Sequence, residues 1–182
     1  GVRLVGSEMC IRDSPTVGAL EARLTELEEG AMCVALSSGT SAVMYSLINI
    51  MSQGDNFVTA NQLYGGTYTM FDNILPEYGI DSKKVDITDL AAVESAIDDK
   101  TRAIYCETIT NPGLVVADIS ALSDIAHSKG IPLIVDATFT TSAILKPFEY
   151  GADIVVYSLT KWMSGHGRAV SYTHLTLPTI AV

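Results

Sequence analysis

Basic residues are scarce in this sequence. Lys and Arg together number 11 against 21 for Asp and Glu, a formal net charge of -10 at pH 7. Nucleic acid needs a positive surface facing its phosphates, so it is not expected as a general partner. A small anionic ligand in a locally positive pocket stays open. Cysteine is also sparse. Cys10, Cys33 and Cys106 have neither zinc-ligand spacing nor a disulfide framework, and a reducing, cytoplasmic compartment is expected. Cys33 and Cys106 sit in apolar runs and read as small buried hydrophobes rather than nucleophiles. No apolar run reaches the roughly 18 residues of a membrane span, and the beginning shows no basic stretch followed by a long apolar one. No membrane partner is expected. The sequence has no GxGxxG after a first strand and no Walker lysine, which weighs against a nucleotide or dinucleotide site. No His/Cys/Asp cluster has metal spacing, so no metal is expected.

What is present suits a globular chain. It has 182 residues, 48% hydrophobic and 18% charged, with 14 glycines and six prolines. Such a length can enclose one sizeable core. Residues 16–29 read as an amphipathic helix, with Leu20, Leu24 and Leu27 on one face, Thr16 as a cap and Gly30 as a stop. Residues 32–36, MCVAL, read as a short strand, and helix follows from Thr40 to about Met51. The alternation continues with a strand at 56–59, helix from Tyr64 towards Leu75, and a weakly strand-like stretch at Val85. A helix over 89–98, a strand over 102–107 and a helix over 118–129 come next. Strands at 132–135 and 154–157 end at Asp136 and Ser158. Short apolar strands between amphipathic helices imply a mostly parallel sheet covered on both faces, a three-layer α/β/α fold. Ligands in such sheets bind beyond the carboxyl ends of the strands, which directs attention to the polar residues there.

Several of those residues can carry chemistry. In LSSGTSA, Gly39 allows close approach to the backbone. The amides of Gly39 and Thr40 open a helix whose positive end suits a phosphate, although a plain capped turn explains the same residues. Asp136 ends an apolar strand, where its carboxylate can either accept from a protonated ring nitrogen or cap a loop. Lys161 follows YSLT. An amine so placed in a partly dry pocket can form a Schiff base, or it can be an ordinary surface group. Ser158 and Thr160 offer hydroxyls to an anion. Tyr64, opening YGGT, can stack on a flat ring or belong to a simple turn. Asn111 lies in TNPG, which otherwise reads as a turn, and His166 reads as a loop residue.

Taken in order, PTVGALEARLTELEEG, ALSSGTSA, LYGGTY, ETITNPG, PLIVDATF and ADIVVYSLTKWMSGHG resemble the trans-sulfuration, or Cys/Met-metabolism, family of pyridoxal-phosphate enzymes over about residues 15–169. The resemblance implies the large domain of the aspartate-aminotransferase type (PLP fold type I) and pyridoxal 5'-phosphate as cofactor. It implies that Lys161 links covalently to the cofactor, that Asp136 pairs with the pyridine nitrogen and that Tyr64 stacks on the ring. The phosphate contacts fall on Gly39, Thr40, Ser158 and Thr160, and Asn111 and Thr138 fall close to the ring. Within the family the segments look most like O-acetylhomoserine sulfhydrylases, which replace acetate at the gamma carbon with sulfide or a thiol. Methionine gamma-lyase, cystathionine gamma-synthase and cystathionine gamma-lyase share the machinery, and a segment serving only as a structural module is the alternative of another class. The partners implied are an amino-acid substrate, sulfide or a thiol, and a second copy in a homodimer or homotetramer.

The sequence departs from the family pattern at Ala137, where asparagine is usual, at Tyr157, where histidine is common, and at Ser164, where glycine is frequent. MCIRDS near the beginning and SYTHLTLPTI near the end resemble translated sequencing-adapter sequence. Residues 1–14 and 170–182 are therefore expected to be non-native. Residues 15–169 are expected to be part of the large domain of a longer protein, without substrate turnover of their own.

Overall fold

The computed structural model describes residues 15–165 and the backbone of 176–180. His166 lies outside the described residues. Among the described residues six strands form one sheet in the order β2-β1-β3-β4-β5-β6. They are β1 (Asn56–Ala60), β2 (Asp81–Val85), β3 (Thr101–Glu107), β4 (Leu133–Asp136), β5 (Ile154–Ser158) and β6 (Thr176–Ile180). The first five are parallel, and β6 runs antiparallel to β5. β6 falls within the 170–182 segment set apart on sequence grounds.

The helices are α1 (Pro15–Glu28), α2 (Gly39–Ile48), α3 (Gly65–Thr69), α4 (Leu90–Ala96), α5 (Ile119–Ser128) and the short α6 (Thr141–Ile144). α2 packs on β5 and β6, α4 on β2, and α5 on β3 and β4. The result is a parallel sheet flanked by helices, the expected fold class. Phe57, Ile104, Leu133, Ile134 and Val155 are fully buried, as continuous apolar strands in a covered sheet must be. Phe71 sits edge-on between Phe57 and Tyr105, with ring centroids at 4.8 and 5.1 Å.

Side-chain caps fix where helices begin. Ser38 accepts from the Ser41 amide at 3.0 Å at the start of α2, and Asp118 accepts from the Ala121 amide at 3.1 Å at the start of α5. α1 differs from expectation. It opens at Pro15, whose fixed φ suits the first helical position, so Thr16 is inside the helix rather than its cap. Its buried positions are Leu24 and Glu28, four apart, with Leu20 partly buried on the same row, whereas Leu27 is 46% exposed. Glu28 is only 1% exposed, and burial holds its carboxyl above the ordinary range. The helix ends at Glu28, and Glu29, one residue before the expected stop, takes the left-handed φ of 56°.

The 32–36 stretch is also corrected. It is extended chain with bridge positions at Cys33 and Leu36 rather than a sheet strand. Cys33 packs with Leu24 in a small satellite cluster, and the Ala35 amide donates to Glu21 Oε1 at 2.7 Å. The stretch is apolar because it covers α1. β2 is the edge strand, and its sequence DSKKV is polar for that reason. Lys83 pairs with Asp98 at 2.6 Å and Lys84 pairs with Asp72, a common way of blunting an exposed edge.

Candidate functional site

β3, β4 and β5 end side by side at Glu107, Asp136 and Ser158, and a cavity of about 680 Å³ opens beyond those ends. Gly39, Thr40, Tyr64, Asn111, Asp136, Thr138, Ser158, Thr160 and Lys161 all line it. The nine residues singled out in the sequence therefore meet at one place, although they span more than a hundred positions. Parallel topology explains this for the residues after β1, β3, β4 and β5, because each strand delivers its following loop to the same edge of the sheet, and the start of α2 brings Gly39 and Thr40 to that edge.

Asp136 is fixed from two sides. Its Oδ1 accepts from the Thr138 amide at 2.9 Å, and the Tyr105 hydroxyl lies 3.4 Å from Oδ2. Burial pushes the Asp136 carboxyl above its ordinary value. Thr138 Oγ1 in turn accepts from the Ser158 amide at 2.8 Å, which joins the ends of β4 and β5. Ala137, alternating with Asp136, is fully buried outside the cavity lining, so the departure there changes the sheet interior rather than the cavity wall. Tyr157, alternating with Ser158, is likewise buried.

Tyr64 stands just before α3 and is 48% exposed on the cavity. A Cβ on Gly66 would come within 2.7 Å of Tyr64 Cε1, so the glycine leaves room for that ring. The first-turn amides of a helix have no acceptors inside it. Ser38 takes the Ser41 amide, and Gly39 and Thr40 begin α2 at the cavity. Lys161 borders the same space, with its amide donating to the Ser158 carbonyl at 3.0 Å. The residue is exposed.

Glu107 opens the ETITNPG segment, where the sequence pattern assigns it no role. It is 5% exposed and lines the cavity, opposite Asp136 in the β3–β4 register. Its Oε1 accepts from the Tyr64 amide at 2.7 Å and its Oε2 from the Asn111 amide at 3.1 Å. Burial and the facing Asp136 push its carboxyl up to about 7, against the pull of the two amides. The signal that could have found it is the one used for Asp136, an acid ending an apolar strand. Trp162 and Phe139, exposed at the rim with centroids 6.2 Å apart, were also not singled out. Among the described residues no His/Cys/Asp/Glu group is arranged to hold a metal.

The donor set fits a flat, phosphorylated, pyridine-type ring carrying a carbonyl. A helix start and hydroxyls suit the phosphate, a half-buried carboxylate suits a protonated ring nitrogen, an aromatic side chain suits the ring face and an amine suits the carbonyl. Fold and cavity position together define the class, an α/β chain with the architecture of PLP fold type I. The family pattern described as Cys/Met metabolism PLP-dependent enzyme matches residues 10–174. The chain belongs to that family of PLP-dependent enzymes.

Particular relatives sharpen the comparison. The chain is 42% identical over 171 residues to sulfhydrylase FUB7 of Fusarium oxysporum f. sp. lycopersici, covering 93% of this chain and 40% of that protein. It is 43% identical over 157 residues to the O-acetyl-L-homoserine sulfhydrylase of Leptospira meyeri, covering 86% and 36%. A Campylobacter jejuni structure described as an O-acetylhomoserine (thiol)-lyase, with N'-pyridoxyl-lysine-5'-monophosphate in its chain, superposes with a TM-score of 0.88 at 38% identity, covering 93% of this chain and 41% of that one. Cystathionine gamma-lyase of Lactobacillus plantarum, complexed with L-serine, gives 0.86 at 36%, covering 94% and 44%. The chain thus spans about two fifths of the length of these relatives.

Proposed function

We propose that this chain is the cofactor-holding part of an O-acetyl-L-homoserine sulfhydrylase-like enzyme that replaces acetate at the gamma carbon with sulfide or a thiol, giving homocysteine or methionine. The observation that carries the proposal is the convergence of Lys161, Asp136 and Tyr64 on one cavity, with hydroxyl and amide donors at its wall. The similarity to named O-acetylhomoserine sulfhydrylases supports the choice of reaction.

Bound pyridoxal phosphate would supply an electron sink next to the reacting carbon. Lys161 would hold the cofactor through its Nζ, and the same amine would move a proton between neighbouring substrate carbons. Asp136 accepts a hydrogen bond from the protonated ring nitrogen, and that positive partner favours its ionised form. Tyr64 covers one face of the ring and limits water there. Gly39 and Thr40 at the start of α2, with Ser158 and Thr160, hold the phosphate. The amino-acid and thiol partners, a homodimeric or homotetrameric assembly and a cytoplasmic location belong to the same proposal.

Products test the reaction. With O-acetyl-L-homoserine and sulfide, the enzyme that contains this segment should release acetate and form homocysteine in equal amounts. Acetate release that leaves sulfide unincorporated would replace the sulfhydrylase assignment with gamma-elimination.

A further inference from the structure

Glu107 is expensive where it stands. Its carboxyl is nearly fully buried and faces a second carboxyl, Asp136, on the neighbouring strand. A buried acid persists only where hydrogen bonds offset its desolvation. Here each oxygen has its own partner on a different loop. Oε1 takes the amide of Tyr64, on the loop after β1, and Oε2 takes the amide of Asn111, on the loop after β3. Those are the two loops whose residues are proposed to meet the cofactor ring.

We propose that Glu107 is a positioning residue, a two-pronged acceptor that fixes the Tyr64 and Asn111 loops in the geometry the cofactor ring requires. The role rests on the cofactor reading given above. Its chemistry is specific to a carboxylate. A glutamine has one acceptor oxygen, and its amide nitrogen would point N–H groups at one of the two backbone N–H donors. An alanine serves neither amide. An aspartate, one methylene shorter, does not span both loops from the same backbone position.

The test compares the wild-type chain with Glu107→Gln and Glu107→Ala by two readouts. The first is hydrogen exchange of the Tyr64 and Asn111 amides without cofactor, with the Ala121 amide, capped by Asp118, as an internal reference. The second is the dissociation constant for pyridoxal phosphate together with the circular dichroism of the bound cofactor. At pH 8.5, above the value of about 7 to which burial pushes Glu107 and so with its carboxylate ionised, Glu107→Gln, which keeps the side-chain shape, should speed exchange at one of the two amides and weaken binding about tenfold, the effect of losing one hydrogen bond to a charged acceptor. Glu107→Ala should speed exchange at both and weaken binding further, with an altered dichroic signal, while Ala121 is unchanged. Variants that bind pyridoxal phosphate as tightly as wild type and with the same dichroism would overturn the role, as would unchanged exchange at both amides. A wild-type chain that captures no pyridoxal phosphate would refute the cofactor reading, and this role with it.

Discussion

Glu107 also makes a thermodynamic prediction that needs no cofactor. An ordinary glutamate titrates near 4.5, and burial and Asp136 push this one up to about 7. A folded-state value above the unfolded one means that the folded chain binds the proton more tightly. The resulting stability is fully present below about pH 4.5 and is lost as pH rises through about 7. At about 1.36 kcal/mol per pH unit, that interval corresponds to about 3 kcal/mol. Glu107→Gln keeps the shape and removes the titration. The stability of wild type relative to Glu107→Gln should therefore fall by about 3 kcal/mol between pH 4.5 and 8, whatever the fixed offset from the changed hydrogen bond. The other groups facing Glu107 do not mimic this. Cys106, pushed up to about 12, and Tyr105, raised well above its ordinary value, stay neutral throughout. Asp136, whose charge acts on Glu107, is taken out of the comparison by repeating it in an Asp136→Asn background. Urea denaturation at a series of pH values measures the difference. Parallel stability curves for the two proteins would refute the burial argument for Glu107.

Other perturbations probe the core and the cavity. Phe71→Ala removes the ring wedged between Phe57 and Tyr105 and should cost about 3–5 kcal/mol, read from the denaturation midpoint. A loss below about 1 kcal/mol would show that the site collapses around the gap. Gly66→Ala places a methyl against the flexible Tyr64 ring, so stability should change by less than about 0.5 kcal/mol while pyridoxal-phosphate affinity falls. Unchanged affinity would remove Tyr64 as the ring cover.

The interior of the sheet was legible in the sequence because β1, β3, β4 and β5 are buried on both faces and therefore each carry an apolar run at their centre. Only Val85 marked β2, since an edge strand with lysines paired to Asp98 and Asp72 carries no such signal. MCVAL misled in the opposite direction, being apolar through contact with α1 rather than through strand pairing. On α1 the leucine pattern pointed to Leu27, yet the buried row ends at Glu28, an acid that hydrophobic periodicity cannot place inside. Asp136, Ser158, Thr160 and Lys161 were legible because parallel strands bring successive loops to one edge, whereas the roles of Gly39, Thr40, Tyr64, Asn111 and Thr138 rested on the motifs that carry the family resemblance. Glu107 met the strand-end criterion. What the sequence did not show is that its two oxygens serve two different loops, which depends on how the strands lie side by side.

The central claim concerns Lys161, and one measurement addresses it directly. The purified chain is incubated with pyridoxal phosphate, reduced with borohydride, digested and analysed by mass spectrometry, beside Lys161→Ala. The account predicts one phosphopyridoxyl adduct on Lys161, with no adduct in the variant, whose exposed side chain makes a loss of fold unexpected. Labelling spread over surface lysines such as Lys100 and Lys129, with Lys161 no more reactive than they are, would contradict it.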